Sequence, residues 1–168
     1  MDKSKTYYFH QTPPELARDL IATLPILPTD RLYEPFKGEG AFYNNFPEAN
    51  PKDWSEIVEG RDYKDYTGEY DWVISNPPFR LETGTKRVNA FWFLLDYYTR
   101  RAKKCVSFLA NASCFGTLTP KRMKELNDRG WYITKLTVCS IKKWSGRYYF
   151  FTLEKHNNGL FGYLRDNY

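Results

Sequence analysis

Asp71-Trp72-Val73-Ile74-Ser75-Asn76-Pro77-Pro78-Phe79 is the stretch on which the reading of this chain turns. Trp72-Val73-Ile74 predicts a short buried strand. It stops abruptly in a polar residue, two prolines and an aromatic. Prolines lack a backbone donor and cannot extend a central strand. They also hold the residues before them extended. The result is a stiff turn at the carboxyl end of a strand, where open α/β sheets place their ligands. The turn offers an Asn side-chain amide, a proline carbonyl with no N–H of its own, and an aromatic face. That set suits a planar base bearing an exocyclic amine.

Working back towards the amino terminus, Arg31-Leu32-Tyr33-Glu34 predicts a first strand. It leads into Pro35-Phe36-Lys37-Gly38-Glu39-Gly40-Ala41-Phe42. A strand that ends in an acid and enters a glycine turn is a nucleotide-binding arrangement. Glycines let backbone approach a ligand, and the N–H groups of a following helix point at it. Further back, Thr12 is expected as an N-cap, with Pro13 at the first helical position and Glu15 at the third, a capping box. Leu16, Leu20, Ile21 and Leu24 form the apolar stripe of that helix, and Pro25 and Pro28 close it.

Between the glycine turn and Asp71, residues 53–60 predict a second strand ending near an acid. An acid at this position commonly accepts from ribose hydroxyls. Glu56 and Glu59 both qualify, and Glu56 is preferred. Asp62-Tyr63 follows, with Asp62 preferred over Asp65. The segment up to Asp71 is too short for a helix and a full further strand.

Asn76-Pro77-Pro78-Phe79 resembles the catalytic motif of class I S-adenosylmethionine-dependent methyltransferases that act on amino groups. The string from Glu34 to Gly40 resembles that family's cofactor motif, and an aromatic followed by Thr-Pro and a helix resembles its amino-terminal motif. Together they resemble the adenine-N6 branch, in the order that puts cofactor binding before catalysis, in a small form without a target-recognition domain. The resemblance implies a Rossmann-like α/β fold: a mostly parallel seven-stranded sheet, an antiparallel terminal hairpin and flanking helices. It implies S-adenosylmethionine as cofactor, with Phe9, Thr12 and Pro13 at its methionine end. Gly38 and Gly40 would line it, Phe36 would pack nearby, and Glu34 would orient the loop and the methionine amine. Glu56 would hold the ribose, and Asp62 and Tyr63 the adenine. Asn76, Pro77, Pro78 and Phe79 are then the catalytic set, acting on adenine N6 in nucleic acid, with DNA favoured over RNA. Similar motifs act on guanine N2 or protein glutamine, and an inactive or partner-dependent subunit is a further alternative.

Beyond Phe79, residues 80–87 are polar and basic, a flap or a connector carrying Arg80, Lys86 and Arg87. A helix is expected over about 88–103, a buried strand over 105–110, a loop over 111–119, and a helix over 120–129 between Thr119 and Gly130. Residues 131–141 and 148–153 predict a hairpin. Its turn carries Lys142, Lys143, Trp144 and Arg147, cations interleaved with an aromatic, which suits phosphate contact and base stacking.

The 168 residues fit one domain, with ends at 1–6 and about 156–168 read as flexible or accessory. A net charge of +5 points towards a polyanionic partner. Three cysteines without paired spacing predict reduced thiols and a cytoplasmic protein, and no metal site. No apolar run is long enough to span a membrane. DNA-reading relatives generally carry a separate recognition domain or long insertions, for which this chain has no room. Little sequence context, a structured RNA, or a partner chain would each account for that.

Overall fold

The computed structural model describes residues 10–83 and 86–156, with the side chains of 82–88 outside that description. Phe9 and most of the two expected accessory ends also lie outside the described residues. The chain divides into two compact units, Met1–Asn76 and Pro77–Tyr168.

The first unit opens with helix α1 (Pro14–Ile21). It starts one residue later than expected, and the capping box does not form. Pro14 holds Pro13 extended, at φ −58° and ψ 131°, so Pro13 cannot be helical and no side chain caps the first turn. Pro14 takes the first helical position instead. Ala17, Leu20, Ile21 and Leu24 face the core. Strands β1 (Leu32–Glu34), β2 (Lys52–Trp54) and β3 (Trp72–Ser75) follow. β1 pairs in parallel with both others, Leu32 opposite Lys52 on one side and Trp72 on the other. Every residue of β1 and β3 is buried, as expected of parallel strands covered on both faces.

β2 ends at Trp54, short of the expected strand. The Glu56 carboxylate accepts from the Val58 N–H and turns the chain into a 3₁₀ turn at Ile57–Glu59. A second 3₁₀ turn, Tyr63–Asp65, completes the link to β3. Asp30 anchors β3: its buried carboxylate accepts from the Trp72 indole at 2.8 Å and from the Leu27 N–H at 2.9 Å.

The second unit begins with an antiparallel hairpin of β4 (Arg80–Thr83) and β5 (Lys86–Asn89), where a flap or connector was expected. Because Val88 pairs with Leu81 in that hairpin, helix α2 (Ala90–Thr99) starts after it, capped by the Asn89 side chain. Strand β6 (Cys105–Asn111) leads into a 3₁₀ segment, Ala112–Thr117, and helix α3 (Pro120–Asp128). Thr119 caps α3 through its hydroxyl, and Gly130 follows at φ +79°. β7 (Trp131–Cys139) and β8 (Tyr148–Lys155) form the expected hairpin, with an irregularity between Ile133 and Lys135. β8 also pairs antiparallel with β6, from Cys105 opposite Glu154 to Asn111 opposite Tyr148.

The expected Rossmann-like α/β architecture is present. Among the described residues the main sheet has six strands rather than seven. The strand that is lacking falls where residues 55–71 make two short turns instead of a helix and strand.

Candidate active site

Three side chains fasten the glycine turn of the first unit. The Glu34 carboxylate accepts from the Tyr43 N–H at 2.6 Å, Glu56 from the Gly38 N–H at 2.7 Å, and the Gln11 amide oxygen from the Glu39 N–H at 3.2 Å. Gly38 and Gly40 sit at φ +53° and +86°, conformations that favour glycine. A Cβ on Gly38 would lie 2.7 Å from Gln11 Oε1, and one on Gly40 would lie 2.9 Å from Asn44 Nδ2. The two glycines therefore answer both to backbone conformation and to a close neighbour.

Glu34 is buried at the end of β1. Burial pushes its carboxyl well above the usual range; the Tyr43 N–H works against that, the nearby Glu56 carboxylate adds to it, and Lys37 opposes it. Phe36 packs against the buried Tyr63, with ring centroids 5.0 Å apart. Asp62 accepts from the Lys64 N–H and starts the second 3₁₀ turn. Of the two glutamates that follow β2, Glu56 reaches the glycine turn, whereas Glu59 pairs with Lys37 at 2.6 Å. Lys37 also lies 3.7 Å from the Trp54 ring centroid, and Arg61, ion-paired with Asp53, lies 4.0 Å from it. Thr12 is buried and Pro13 half-buried before α1.

Asn76 follows the last residue of β3. Its Nδ2 donates to the His10 carbonyl oxygen at 2.9 Å. Its Oδ1 is buried and accepts no hydrogen bond among the described residues, and neither does the neighbouring Ser75 Oγ. A buried polar atom without a partner is costly, and such atoms concentrate where a ligand supplies the partner. Since Nδ2 faces a carbonyl, the amide orientation is fixed, and Oδ1 is the acceptor offered.

In the second unit, Pro77 is buried, Pro78 exposed and Phe79 half-buried. The Phe79 carbonyl accepts from the Ala90 N–H at 3.1 Å, which ties it to the start of α2. Pro77, Pro78 and Phe79 line a recess with Asn89, Asn111 and Ser113. Asn89 and Asn111 each use Oδ1 to cap a following turn, at Phe91 and Ser113. Tyr148, opposite Asn111 on β8, has its ring centroid 6.3 Å from that of Phe79 and 4.7 Å from that of Trp144. Lys142, Lys143 and Arg147 are exposed around Trp144. Arg80 is exposed on β4; Lys86 and Arg87 lie on β5 opposite Thr83 and Glu82.

Gln11 and His10 escaped the sequence reading. Each acts on a residue far along the chain, one through an amide and one through a backbone carbonyl, and no local pattern signals either. Lys37, between the two predicted positions Phe36 and Gly38, carries no expectation from the sequence, yet it pairs with Glu59 and packs on Trp54. No group of three or more His, Cys, Asp or Glu placed to hold a metal occurs among the described residues.

No protein-family model matches the sequence, and no curated protein matches it. Solved structures do match the fold. A protein from Listeria monocytogenes, assigned as a class I S-adenosylmethionine-dependent methyltransferase, superposes with a TM-score of 0.67 at 14% identity, over 88% of this chain and 61% of that one. A modification subunit assigned to a type I restriction enzyme of Vibrio vulnificus also gives 0.67, at 11% identity, over 89% of this chain and 45% of that one. A protein of Pyrococcus horikoshii assigned as an RNA methyltransferase gives 0.61 at 16% identity, over 92% of both chains. This chain spans about half to three fifths of the length of the first two. At such identities the likeness establishes the fold alone, a Rossmann-like α/β fold shared with those structures.

Proposed function

We propose that the chain transfers a methyl group from S-adenosylmethionine to the N6 amine of adenine in nucleic acid, DNA first and RNA as the other polymer to be tested. The carrying observation is Asn76 Oδ1, a buried acceptor with no hydrogen-bond partner among the described residues, whose own amide is committed to His10. Adenine N6 is a weak nucleophile because its lone pair is delocalised into the ring. Acceptance of its two protons by Asn76 Oδ1 and the Pro77 carbonyl favours a pyramidal nitrogen with an available lone pair. Phe79 would stack on the base, which must first leave a duplex. Bound S-adenosylmethionine supplies an electrophilic sulfonium methyl. With that cofactor bound, an N6–carbon bond would form as the sulfur–carbon bond breaks, and N6 would shed a proton to solvent.

The residues present suit that cofactor. Its methionine ammonium calls for an acid, and Glu34 is a buried one beside the glycine turn. Gly38 and Gly40 keep the turn open to a close ligand, Glu56 follows β2 as the ribose acceptor, and Asp62 and Tyr63 serve the adenine, with Thr12 and Pro13 near the methionine. The modification-subunit and RNA-methyltransferase likenesses and the net charge of +5 support a nucleic-acid acceptor. Any further domain or partner chain would serve target choice. Three unpaired, buried cysteines suit a reducing compartment such as the cytoplasm. No helix among the described residues is long and apolar enough to cross a membrane.

Calorimetric titration with S-adenosylmethionine tests the cofactor half. Saturable one-to-one binding that Gly38→Ala weakens is expected; no binding by the wild type would overturn it.

A further inference from the structure

The basic turn of the β7–β8 hairpin is built beside the recess that holds Phe79. The Arg147 carbonyl accepts from the Ala112 N–H at 3.0 Å, which fixes the turn to the segment that follows β6. One residue on, Tyr148 pairs with Asn111, a residue of the recess wall. A series of rings runs from the half-buried Phe79 through the buried Tyr148 to the half-buried Trp144, at centroid separations of 6.3 and 4.7 Å. Around Trp144 the side chains of Lys142, Lys143 and Arg147 are exposed, and the turn contains no acid to pair with them. Three exposed cations around an aromatic at one end of a ring series match one ligand chemistry, a polynucleotide strand with splayed bases.

We infer that this turn is a binding surface for an unpaired polynucleotide strand, in which the base next to the target stacks on Trp144 and its phosphates meet Lys142, Lys143 and Arg147. The inference rests on the reading of the Phe79 recess as a base site. It adds that the strand is bound unpaired and that the flanking nucleotide supplies much of the hold. A duplex would present its bases edge-on and already stacked, which leaves Trp144 nothing to accept. The shared chemistry covers DNA and RNA.

The test is binding of end-labelled oligothymidylate and oligouridylate to the full chain, without cofactor, followed by fluorescence anisotropy over a salt series. Neither oligomer contains adenine, so the result stands apart from whether adenine is methylated. Binding to at least one oligomer is expected, and the stronger arm identifies the polymer. Trp144→Ala should weaken it roughly 5- to 100-fold, the effect of losing one stacked base, while Trp144→Phe should keep most of the affinity. Each phosphate contact on a single strand contributes about 0.7 to the slope of log affinity against log salt. Changing Lys142, Lys143 and Arg147 together to Ser should flatten that slope by about 2. The inference is overturned if the wild type binds neither oligomer, if Trp144→Ala binds as the wild type does, if the triple variant keeps its salt slope, or if a matched duplex binds as tightly as the single strand.

Discussion

The Asn76 side-chain amide donates to the His10 carbonyl at 2.9 Å, across 66 residues of chain. The bond joins the turn after β3 to the segment just before α1. It also decides which end of the amide is offered, since only Oδ1 is left to accept. Asn76→Ala removes the acceptor and is expected to lower methyl transfer by about 10²–10³-fold, the usual loss when one preorganised polar group at a reacting centre is removed. Asn76→Asp cannot donate to His10 and is expected to lose a similar factor. Cofactor affinity should stay within a few-fold of wild type in both, measured by calorimetry alongside single-turnover rates.

The glycine turn makes a second prediction. Gly38→Ala forces an L-residue to φ +53° and drives a Cβ against Gln11. The conformation alone costs roughly 1–2 kcal/mol. Combining the change with Gln11→Ala relieves the collision but leaves the backbone strain. Affinity for S-adenosylmethionine should fall about tenfold or more in the single variant and recover only in part in the double.

Glu34 supplies a pH dependence. Its carboxyl titrates above the usual range because it is buried, so the folded chain keeps a proton that the unfolded chain releases. The stability contributed by this group is complete below the ordinary carboxylate pKa of about 4.3, and it is lost as pH rises through the raised value. Glu34→Gln keeps an acceptor for Tyr43 and never ionises. The variant is expected to melt above the wild type at pH 8, with the difference closing towards pH 4, in thermal scans across that range. It should also bind the cofactor less well, a trade of function against stability.

Asp96 behaves in the opposite sense. Burial acts to raise its pKa, but hydrogen bonds from Arg100 and Arg129 outweigh it and hold the carboxyl below its usual value. The Arg129 contact at 2.8 Å matters more, since the Arg100 side chain is 55% exposed and its pairing is screened. Asp96→Asn is expected to cost about 1 kcal/mol at neutral pH, the charge-assisted part of the bond. That stability is present above the unfolded pKa and lost as pH falls through the lowered one, so the two melting temperatures should converge in acid.

Elements with strong local grammar were legible in the sequence. Thr119-Pro120 and Gly130 bracket α3 because capping, proline and positive φ are local effects. The apolar run before Asn76 marks β3, and the glycine turn after Glu34 lies where it was read. Errors arose where two local rules competed. Thr12 makes a good cap, but the second proline of the Pro13-Pro14 pair decides where α1 begins. Val88 fits a helix by composition, yet it pairs across a hairpin with Leu81. The resemblance implies seven strands, but residues 55–71 are too few to build one more, and they fold as two 3₁₀ turns. The His10 and Gln11 contacts are tertiary and carry no sequence signal.

The most direct measurement is the identity of the methylated nucleoside. The chain would be incubated with isotopically methyl-labelled S-adenosylmethionine and adenine-containing DNA and RNA, single-stranded and duplex, and the polymers digested for mass spectrometry, with Asn76→Ala in parallel. Labelled N6-methyladenine nucleoside is expected in at least one polymer, and its loss is expected in the variant. Label on guanine, label that persists in Asn76→Ala, or no transfer despite cofactor binding would contradict it.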